Sequence, residues 1–431
     1  MQATPPYSSI FRNPAFLAFW AAQTVSSAGD AVRRMTLLLW VFAESGQSGL
    51  AIAAITVAET VPYLLLSPLA GVFVDRFNRR AILVGADLAR ALLSLALVYA
   101  VVSHSLWLVY PVILLATLFS AVAEVAAGTV LPRVVEDRQL EQGNGLLVIG
   151  QQAALIAGPA LGAVLYTTVG PGVAFVADAA TFLLSALLIG LALPPHRLQP
   201  TESGTPSRGR SSLWGDIRAG LRYLLGARLI LANFAITSTT ALAAGINGTV
   251  MIFFITRTLG HNAPDLAWLA ATNGVAQMLV GGYVVWLAHR ARLERLLAAS
   301  LGLMALGATL VAAAWSLPVL VLGVILTSLG NAPFNIARDT LDQRYVPLSY
   351  LGRVRSAVDM STTALFLAAS SLSGYLVPLL EPRALLSASA TISVIVALAG
   401  WLVLVPLLKR ASPPSEGSVA AQGQEDHVRQ P

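Results

Sequence analysis

The chain has 431 residues, of which 56% are hydrophobic and only 11% are charged, and its formal net charge is +6. Soluble globular proteins carry roughly 25% charged residues, so this composition excludes an ordinary soluble domain and predicts a membrane protein. The chain has no cysteine, and its five histidines show no metal-ligand spacing, so we expect no disulfide, metal or other cofactor.

Apolar runs recur along the chain, each near the ~20 residues that a membrane helix needs. We predict an all-α membrane protein of twelve transmembrane helices in two six-helix bundles. Helices 1 to 12 are predicted at 14–42, 50–74, 81–102, 107–130, 144–168, 172–193, 229–256, 264–288, 294–314, 317–338, 355–380 and 384–408. No basic segment precedes helix 1, so we expect it to remain as a span rather than to be cleaved as a signal peptide.

The segments outside the spans divide the chain into domains. We predict an N-terminal bundle within 1–193 and a C-terminal bundle within 229–410. Residues 194–228 are predicted to be a cytoplasmic linker, because Pro, Ser and Gly make its first part flexible, and to include a short amphipathic helix near 213–225. Residues 411–431 are predicted to form a disordered cytoplasmic tail.

The basic residues predict the orientation in the membrane. Of the 27 Lys and Arg, 22 lie at the termini, in loops after even-numbered helices or at the helix ends next to those loops, two lie in the opposite loops, and three lie in the interior of spans. Because positively charged loops stay on the cytoplasmic side, both termini are predicted to be cytoplasmic, in the cell membrane. The scatter of these charges over many loops argues against a nucleic-acid partner.

Helix 1 carries polar residues at intervals of three or four, on one face. They are Gln23, Ser26, Ser27, Asp30, Arg33 and Arg34. Lipid cannot satisfy such a face, so it must contact protein or a water-filled cavity. Asp30 either pairs locally with Arg33 or Arg34, or binds a proton together with Glu59 of helix 2, since both carboxyls lie about 14 Å from the outer end at 1.5 Å per residue.

Other carboxyls in the predicted spans have competing interpretations. Glu124 on helix 4 has no cation at helical spacing on its own helix, so it is a proton-coupling candidate, a partner of Arg90, or a packing residue. Asp87 precedes Arg90 by three residues, which favours a structural ion pair. Asp178 and Asp359 lie near predicted helix starts, where capping is the simpler explanation.

Polar residues also follow one face of helices 4, 7 and 10. The groups predicted to line a substrate cavity are Gln23, Arg34, Gln151, Asn233, Asn247, Asn273, Asn331 and Asn335. The alternative is that such amides and hydroxyls bridge helices, at about 0.6 kcal/mol each.

The turn between helices 2 and 3 reads G-V-F-V-D-R-F-N-R-R from Gly71 to Arg80. It resembles motif A of the major facilitator superfamily (MFS), with matches at Gly71, Asp75, Arg76 and Arg80. MFS halves are parallel repeats built from nested three-helix inverted repeats, and the resemblance implies that helices 1, 4, 7 and 10 line a central cavity. It also implies a conformational latch, in which Asp75 would face the start of helix 11 near 352–355.

Helix 5 carries a second resemblance. Gly158, Pro159 and Gly162 are similar to motif C, which is typical of MFS antiporters, although Ala154 and Ala163 stand where that motif has glycine. We expect the small residues to let another helix approach closely and the proline to remove a helix hydrogen bond.

Two further segments indicate a branch of the superfamily. The segments 19–30 and 131–135 resemble macrolide-efflux and enterobactin-exporter-like proteins, and 214–223 fits the same branch. The arginine that proton-coupled exporters carry on helix 4 in motif B is missing, and Glu124 stands in that region.

The resemblance implies secondary active export of a small amphipathic molecule, such as a drug, macrolide-like compound or siderophore, by proton antiport with alternating access. The expected partners are this substrate, protons and the bilayer, and we expect a monomer. The sole lysine is Lys409, so the chain has no phosphate-binding loop, and no nucleophile–base set indicates an enzyme. The alternatives are facilitated uptake of a solute and movement of lysolipids within the same fold.

Overall fold

The computed structural model describes residues 7–193, 222–276 and 292–410, and all regular structure in these ranges is helical. The first half contains α1 (Pro14–Glu44), α2 (Gly49–Arg76), α3 (Arg79–Val102), α4 (Leu106–Gly128), α5 (Leu140–Thr168) and α6 (Pro171–Ala192). The second half contains α7 (Arg228–Phe253), α8 (described over 266–276), α9 (Leu293–Ala313), α10 (Leu317–Tyr345), α11 (Leu348–Leu376) and α12 (Pro382–Ala399). Single turns of π-helix follow α7 at Phe254–Thr258 and α12 at Gly400–Leu404.

Within these ranges, eight helical stretches are long and apolar enough to cross a membrane. They lie in α3 to α7, α9, α10 and α12, which confirms the predicted all-α membrane class. In α1 the apolar run is interrupted by Asp30, Arg33 and Arg34, and in α2 the part whose side chains the structure describes is apolar over Gly49–Leu65. Twelve spans and cytoplasmic termini remain predictions.

Several predicted boundaries differ from the structure. The end of predicted helix 8, most of the linker and amphipathic helix, and the tail at 411–431 lie outside the described residues. Helix α10 continues to Tyr345 and α11 begins at Leu348, so the two helices together extend well beyond the apolar runs. Polar helix ends of this kind can extend into water, where their long charged side chains remain solvated.

Asparagine side chains define the starts of two helices. The Oδ1 atom of Asn13 accepts hydrogen bonds from the backbone N–H groups of Ala15 and Phe16, at 3.1 and 3.2 Å, and Pro14 occupies the first helical position of α1. Asn78 caps α3 in the same way, with Oδ1 accepting from the N–H of Arg80 at 2.9 Å. The sharp turn between α2 and α3 therefore follows directly from the local sequence.

The chain forms two compact units. Among the described residues, unit 1 contains α1 to α6 together with Met251–Val275 and Ser373–Leu379, and unit 2 contains the others. The end of α7, most of the described part of α8 and the end of α11 therefore group with the first six helices. The division into bundles at 1–193 and 229–410 remains a prediction.

In unit 1, α1 packs against α5 and α6, and α3 packs against α4 and α6. Glycines on α5 allow its close approach to α1. A Cβ atom on Gly158 would overlap Ala31, and one on Gly162 would lie 2.7 Å from the carbonyl oxygen of Val32. Because lipid is as apolar as the side chains, such close packing is what holds membrane helices together.

In unit 2, α9 packs against α10 and α12 around a core that includes Leu297, Leu301 and Phe334. Glycines again permit backbone contact, here between α9 and α10. A Cβ atom on Gly323 would lie 2.8 Å from the backbone nitrogen of Val311, and one on Gly330 would lie 2.6 Å from the carbonyl oxygen of Ser300.

Candidate functional site

Five ionisable side chains meet inside unit 1, and we call them the charge cluster. They are Asp30 and Arg33 on α1, Asp87 and Arg90 on α3, and Asp178 on α6. Asp178 is completely buried, and Arg33, Asp87 and Arg90 are each less than a tenth exposed. Charged groups at such depth are expensive in a membrane protein and mark functional sites by default.

The two arginines link the three aspartates. Arg33 Nη2 lies 2.8 Å from Asp30 Oδ1, and its Nε lies 3.5 Å from Asp178 Oδ2. Arg90 Nη1 lies 3.5 Å from Asp30 Oδ2, and Arg90 Nη2 pairs with Asp87. The Arg90 guanidinium also lies 4.2 Å from the ring centroid of Phe182, in cation–π geometry.

Helices α3 and α6 exchange hydrogen bonds at the cluster. Ser94 Oγ on α3 donates to Asp178 Oδ2 at 2.6 Å, and Ser185 Oγ on α6 donates to Asp87 Oδ2 at 2.7 Å. Both helices carry the pattern D-x-A-x-x-L-L-S, at 87–94 and 178–185. Each aspartate therefore contacts the serine of the other copy, which requires the two segments to run in opposite directions.

The cluster has one acidic group more than it has basic groups. With every group ionised it holds three carboxylates and two guanidiniums, and arginine does not give up its proton in proteins. Among the described residues, Asp178 Oδ1, Arg33 Nη1 and Arg90 Nε are buried without a hydrogen-bond partner. A buried network that is incompletely paired is costly, and one added proton would make it neutral.

The structure shows which partners the predicted proton-coupling residues contact. Asp30 is paired with Arg33, whereas the neighbouring Arg34 reaches Glu59 of α2, with Nε and Oε1 3.6 Å apart. Glu124 is exposed on α4. Within the described ranges no ion pair joins it to Arg90, whose Nη1 contacts Ser120 Oγ at 3.4 Å.

The capping interpretation is wrong for Asp178 and for Asp359. Helix α6 begins at Pro171, so Asp178 lies two turns inside it, and α11 begins at Leu348, three turns before Asp359. Asp178 belongs instead to the charge cluster, together with Ser94, Ser185 and Phe182, which sequence reasoning also missed. The repeated pattern on α3 and α6 is the sequence signal that pairs Asp87 with Asp178.

The cavity-lining candidates in unit 1 have different exposures. Gln151 and Arg34 are exposed, with 59% of the Arg34 side chain accessible, and Gln23 and Asn273 are half-buried. Each of the four therefore retains accessible surface and stays a candidate for contact with substrate.

The candidates in unit 2 fall into two groups. Asn233 is buried, and its Nδ2 donates to Asp342 Oδ1 on α10 at 2.9 Å; Asn247 Nδ2 donates to Ser389 Oγ on α12 at 2.8 Å. Both amides bridge helices. Asn233 is also buried, and its short side chain reaches only the neighbouring helix, so the prediction that it lines a cavity does not fit. Asn335, which is exposed, donates to Asn331 at 2.9 Å along α10.

The motif A residues lie where α2, α3 and α6 end or begin. Arg80 Nη2 donates to the carbonyl oxygen of Gly190 near the end of α6, where the helix dipole favours a cation. Arg76 is exposed at the last residue of α2. The side chain of Asp75 and the surroundings of Gly71 lie outside what the structure describes.

Known proteins similar to the chain are membrane transporters. The family model of the Major Facilitator Superfamily matches residues 15–246 and 234–430. The chain is 26% identical to the MFS-type transporter YfiS of Bacillus subtilis (strain 168), over 82% of this chain and 85% of that protein. It is 30% identical to Macrolide efflux protein A of Streptococcus pyogenes over 35% of this chain and 38% of that protein.

Another relative is the multidrug efflux pump Tap of Mycobacterium bovis (strain BCG / Pasteur 1173P2). The identity is 28% over 64% of this chain and 66% of that protein. Among solved structures, the nucleoside transporter NupG superposes with a TM-score of 0.75 at 13% identity, over 90% of this chain and 98% of that one. At this identity the likeness establishes the fold alone.

Proposed function

The chain belongs to the major facilitator superfamily, and we propose that it exports a small amphipathic molecule by proton antiport. The predicted resemblance to this superfamily and to its efflux branch is confirmed. The chain is therefore a multi-pass membrane transporter and not an enzyme.

The charge cluster is the observation that supports proton coupling. A transporter that exchanges substrate for protons needs a carboxyl that is protonated in one state and ionised in another. This group of three aspartates and two arginines, all buried except the partly exposed Asp30, meets this need, because a single proton changes its net charge from −1 to zero. Each proton that crosses the membrane supplies about 2.3 kcal/mol per 100 mV, in addition to the pH difference.

The efflux relatives support export. Macrolide efflux protein A and the multidrug efflux pump Tap match different lengths of the chain, and both names describe outward transport. We propose a drug, macrolide-like compound or siderophore as substrate, a monomeric protein in the cell membrane, and cytoplasmic termini. The two six-helix bundles at 1–193 and 229–410 would alternate access around the substrate.

Roles follow for the exposed polar residues. We propose that Asp30, in the charge cluster, and Glu59, which pairs with Arg34, take part in proton coupling. We also propose that Glu124, which is exposed, passes protons between these groups and water. The substrate-contact candidates are Gln23, Arg34, Gln151, Asn247, Asn273, Asn331 and Asn335. Asp75 and Arg76 would act at the membrane edge, as a latch that changes turnover rather than affinity.

Two assays test the proposal. The protein is expressed in a strain that lacks its own exporters, and this strain and the same strain without the protein are exposed to erythromycin, a macrolide, and to ethidium, a lipophilic cation. The chain should raise tolerance to at least one of them, and a protonophore should abolish active extrusion. Extrusion that ignores the protonophore contradicts proton coupling, and net accumulation in the cells indicates uptake instead. Scrambling of labelled lysolipid in vesicles would favour the lipid-handling alternative.

A further inference from the structure

Asp178 is the least compensated carboxylate of the charge cluster. Asp30 contacts both arginines, and Asp87 pairs closely with Arg90. Asp178 has one arginine nitrogen at 3.5 Å and the hydroxyl of Ser94, and both act on the same oxygen, Oδ2.

The other oxygen of Asp178 faces the neighbouring helix. A Cβ atom on Gly29 would lie 2.8 Å from Asp178 Oδ1, so this oxygen lies against the backbone of α1. Thr181 is adjacent, but its hydroxyl donates to the backbone carbonyl of Asp178 at 2.7 Å. Asp178 Oδ1 therefore has no donor among the described residues, and the side chain is 0% exposed.

The two copies of the D-x-A-x-x-L-L-S pattern differ at their fourth position, where only one copy has a cation that can neutralise its aspartate. In the α3 copy, Arg90 follows Asp87 by three residues and neutralises it. In the α6 copy, Thr181 stands at the equivalent position. The second aspartate therefore depends on Arg33 of another helix, which is shared with Asp30.

We propose that Asp178 is the carboxyl that binds the coupling proton, an inference that rests on the proposed function and names the ion site within it. The ligand is a proton rather than a metal cation, because no group of acidic or histidine side chains among the described residues is arranged to hold a metal ion. Protonation leaves two carboxylates for two guanidiniums. Loss of the proton restores the unpaired charge, which gives the cluster two electrostatic states.

Other titratable groups surround this site. Asp30 and Arg33 face Asp178 from α1, and Asp87 and Arg90 lie on α3. Arg34 of α1 and Glu59 of α2 form an ion pair between these two helices. Helix α5, which also packs on α6, carries Glu141 and Tyr166 only near its two ends, and α4 carries the exposed Glu124.

Infrared spectroscopy tests the site without substrate or gradient. The full-length protein in lipid vesicles is titrated from mildly acidic to alkaline pH, and the C=O band of protonated carboxyls is recorded. The difference between the wild-type spectrum and the spectrum of Asp178→Asn should contain the C=O band of one protonated carboxyl, and the intensity of this band should depend on pH. Asp87→Asn, the matched variant at the equivalent position, should keep that component. A wild-type spectrum that is identical to that of Asp178→Asn at every pH overturns the proposal, as does loss of the component only in Asp87→Asn.

Two serine variants provide a second test in case Asp178→Asn does not fold. Ser94 donates to the ionised carboxylate, so Ser94→Ala should move the midpoint of the band to higher pH by about one unit. Ser185→Ala, which removes the equivalent hydroxyl from Asp87, should leave the midpoint unchanged. Equal shifts in the two variants, or none in Ser94→Ala, would contradict the assignment. Failure of antiport in vesicles with this band intact would instead count against the proposed function alone.

Discussion

The backbones of Gly49 and Gly374 meet within unit 1, at the start of α2 and near the end of α11. A Cβ atom on Gly374 would lie 2.5 Å from the carbonyl oxygen of Gly49 and 2.8 Å from the Cβ of Ala53. Nearby, Arg257 Nη2 donates to the carbonyl oxygen of Gln47 at 3.1 Å. The predicted topology places these residues on the outer side, and we propose that the contact forms in a state that is closed there.

We therefore expect Gly374→Ala to disfavour this closed state. Overpacking costs about 1–3 kcal/mol, which is comparable to the gap between conformations of a transporter. Efflux of ethidium should fall several-fold while the amount of protein in the membrane stays constant. Gly248→Ala is the control, because nothing lies within 4 Å of a Cβ atom there. Equal efflux in both variants would contradict this role for the contact.

The excess negative charge of the cluster predicts an asymmetry between its arginines and aspartates. Arg33→Gln leaves three carboxylates, two of them buried, with one guanidinium, so it should destabilise the protein by about 3–5 kcal/mol. Asp178→Asn removes the excess charge and should cost much less. Thermal unfolding in detergent, followed by fluorescence-detected gel filtration, compares the midpoints.

Arg34→Gln provides the reference for this comparison. The Arg34 side chain is 59% exposed, and exposed ion pairs contribute about 0–1 kcal/mol. Its midpoint should stay near that of wild type. A midpoint for Asp178→Asn as low as that for Arg33→Gln would show that the cluster carries no excess charge.

The contact between α5 and α1 predicts opposite effects for two glycines of the same helix. Gly162→Ala should lower the thermal midpoint, because the added carbon would lie 2.7 Å from the carbonyl oxygen of Val32. Gly145→Ala should raise it or leave it unchanged, since nothing lies within 4 Å there and alanine favours a helix by about 1 kcal/mol over glycine. Effects of the same sign and size would refute the packing role of Gly162.

Two asparagines of unit 2 should behave differently in transport. Asn233→Ala leaves Asp342 without its amide donor, so it should lower stability by about 1–3 kcal/mol and reduce efflux of erythromycin and ethidium alike. Asn335→Ala, at an exposed position, should keep stability and change the ratio between the two compounds. A change of ratio in Asn233→Ala would return that residue to the substrate-contact group.

Features encoded by local spacing could be predicted from the sequence. The helical class follows from the apolar runs, and the Asp87–Arg90 pair follows from a separation of three residues. The approach of α1 to the glycines of α5 follows from small residues four apart, although the sequence does not say which helix approaches.

Long-range pairings could not be predicted in this way. Arg33 and Asp178 are separated by most of unit 1 in sequence, and only the fold brings them to 3.5 Å. Local spacing therefore favours a capping role for Asp178 at a helix start, where a carboxylate needs no distant partner. The burial of Asn233 could not be predicted for the same reason, since its partner Asp342 lies on another helix.

The central claim is that substrate leaves in exchange for protons. The most direct measurement uses purified protein in vesicles with an imposed pH gradient and whichever of erythromycin and ethidium gives the larger tolerance in cells. We predict that the compound moves against its own gradient, opposite to the protons, and that a protonophore or Asp178→Asn reduces this to equilibration. Accumulation that persists without a pH gradient, or movement in the same direction as the protons, would contradict proton antiport.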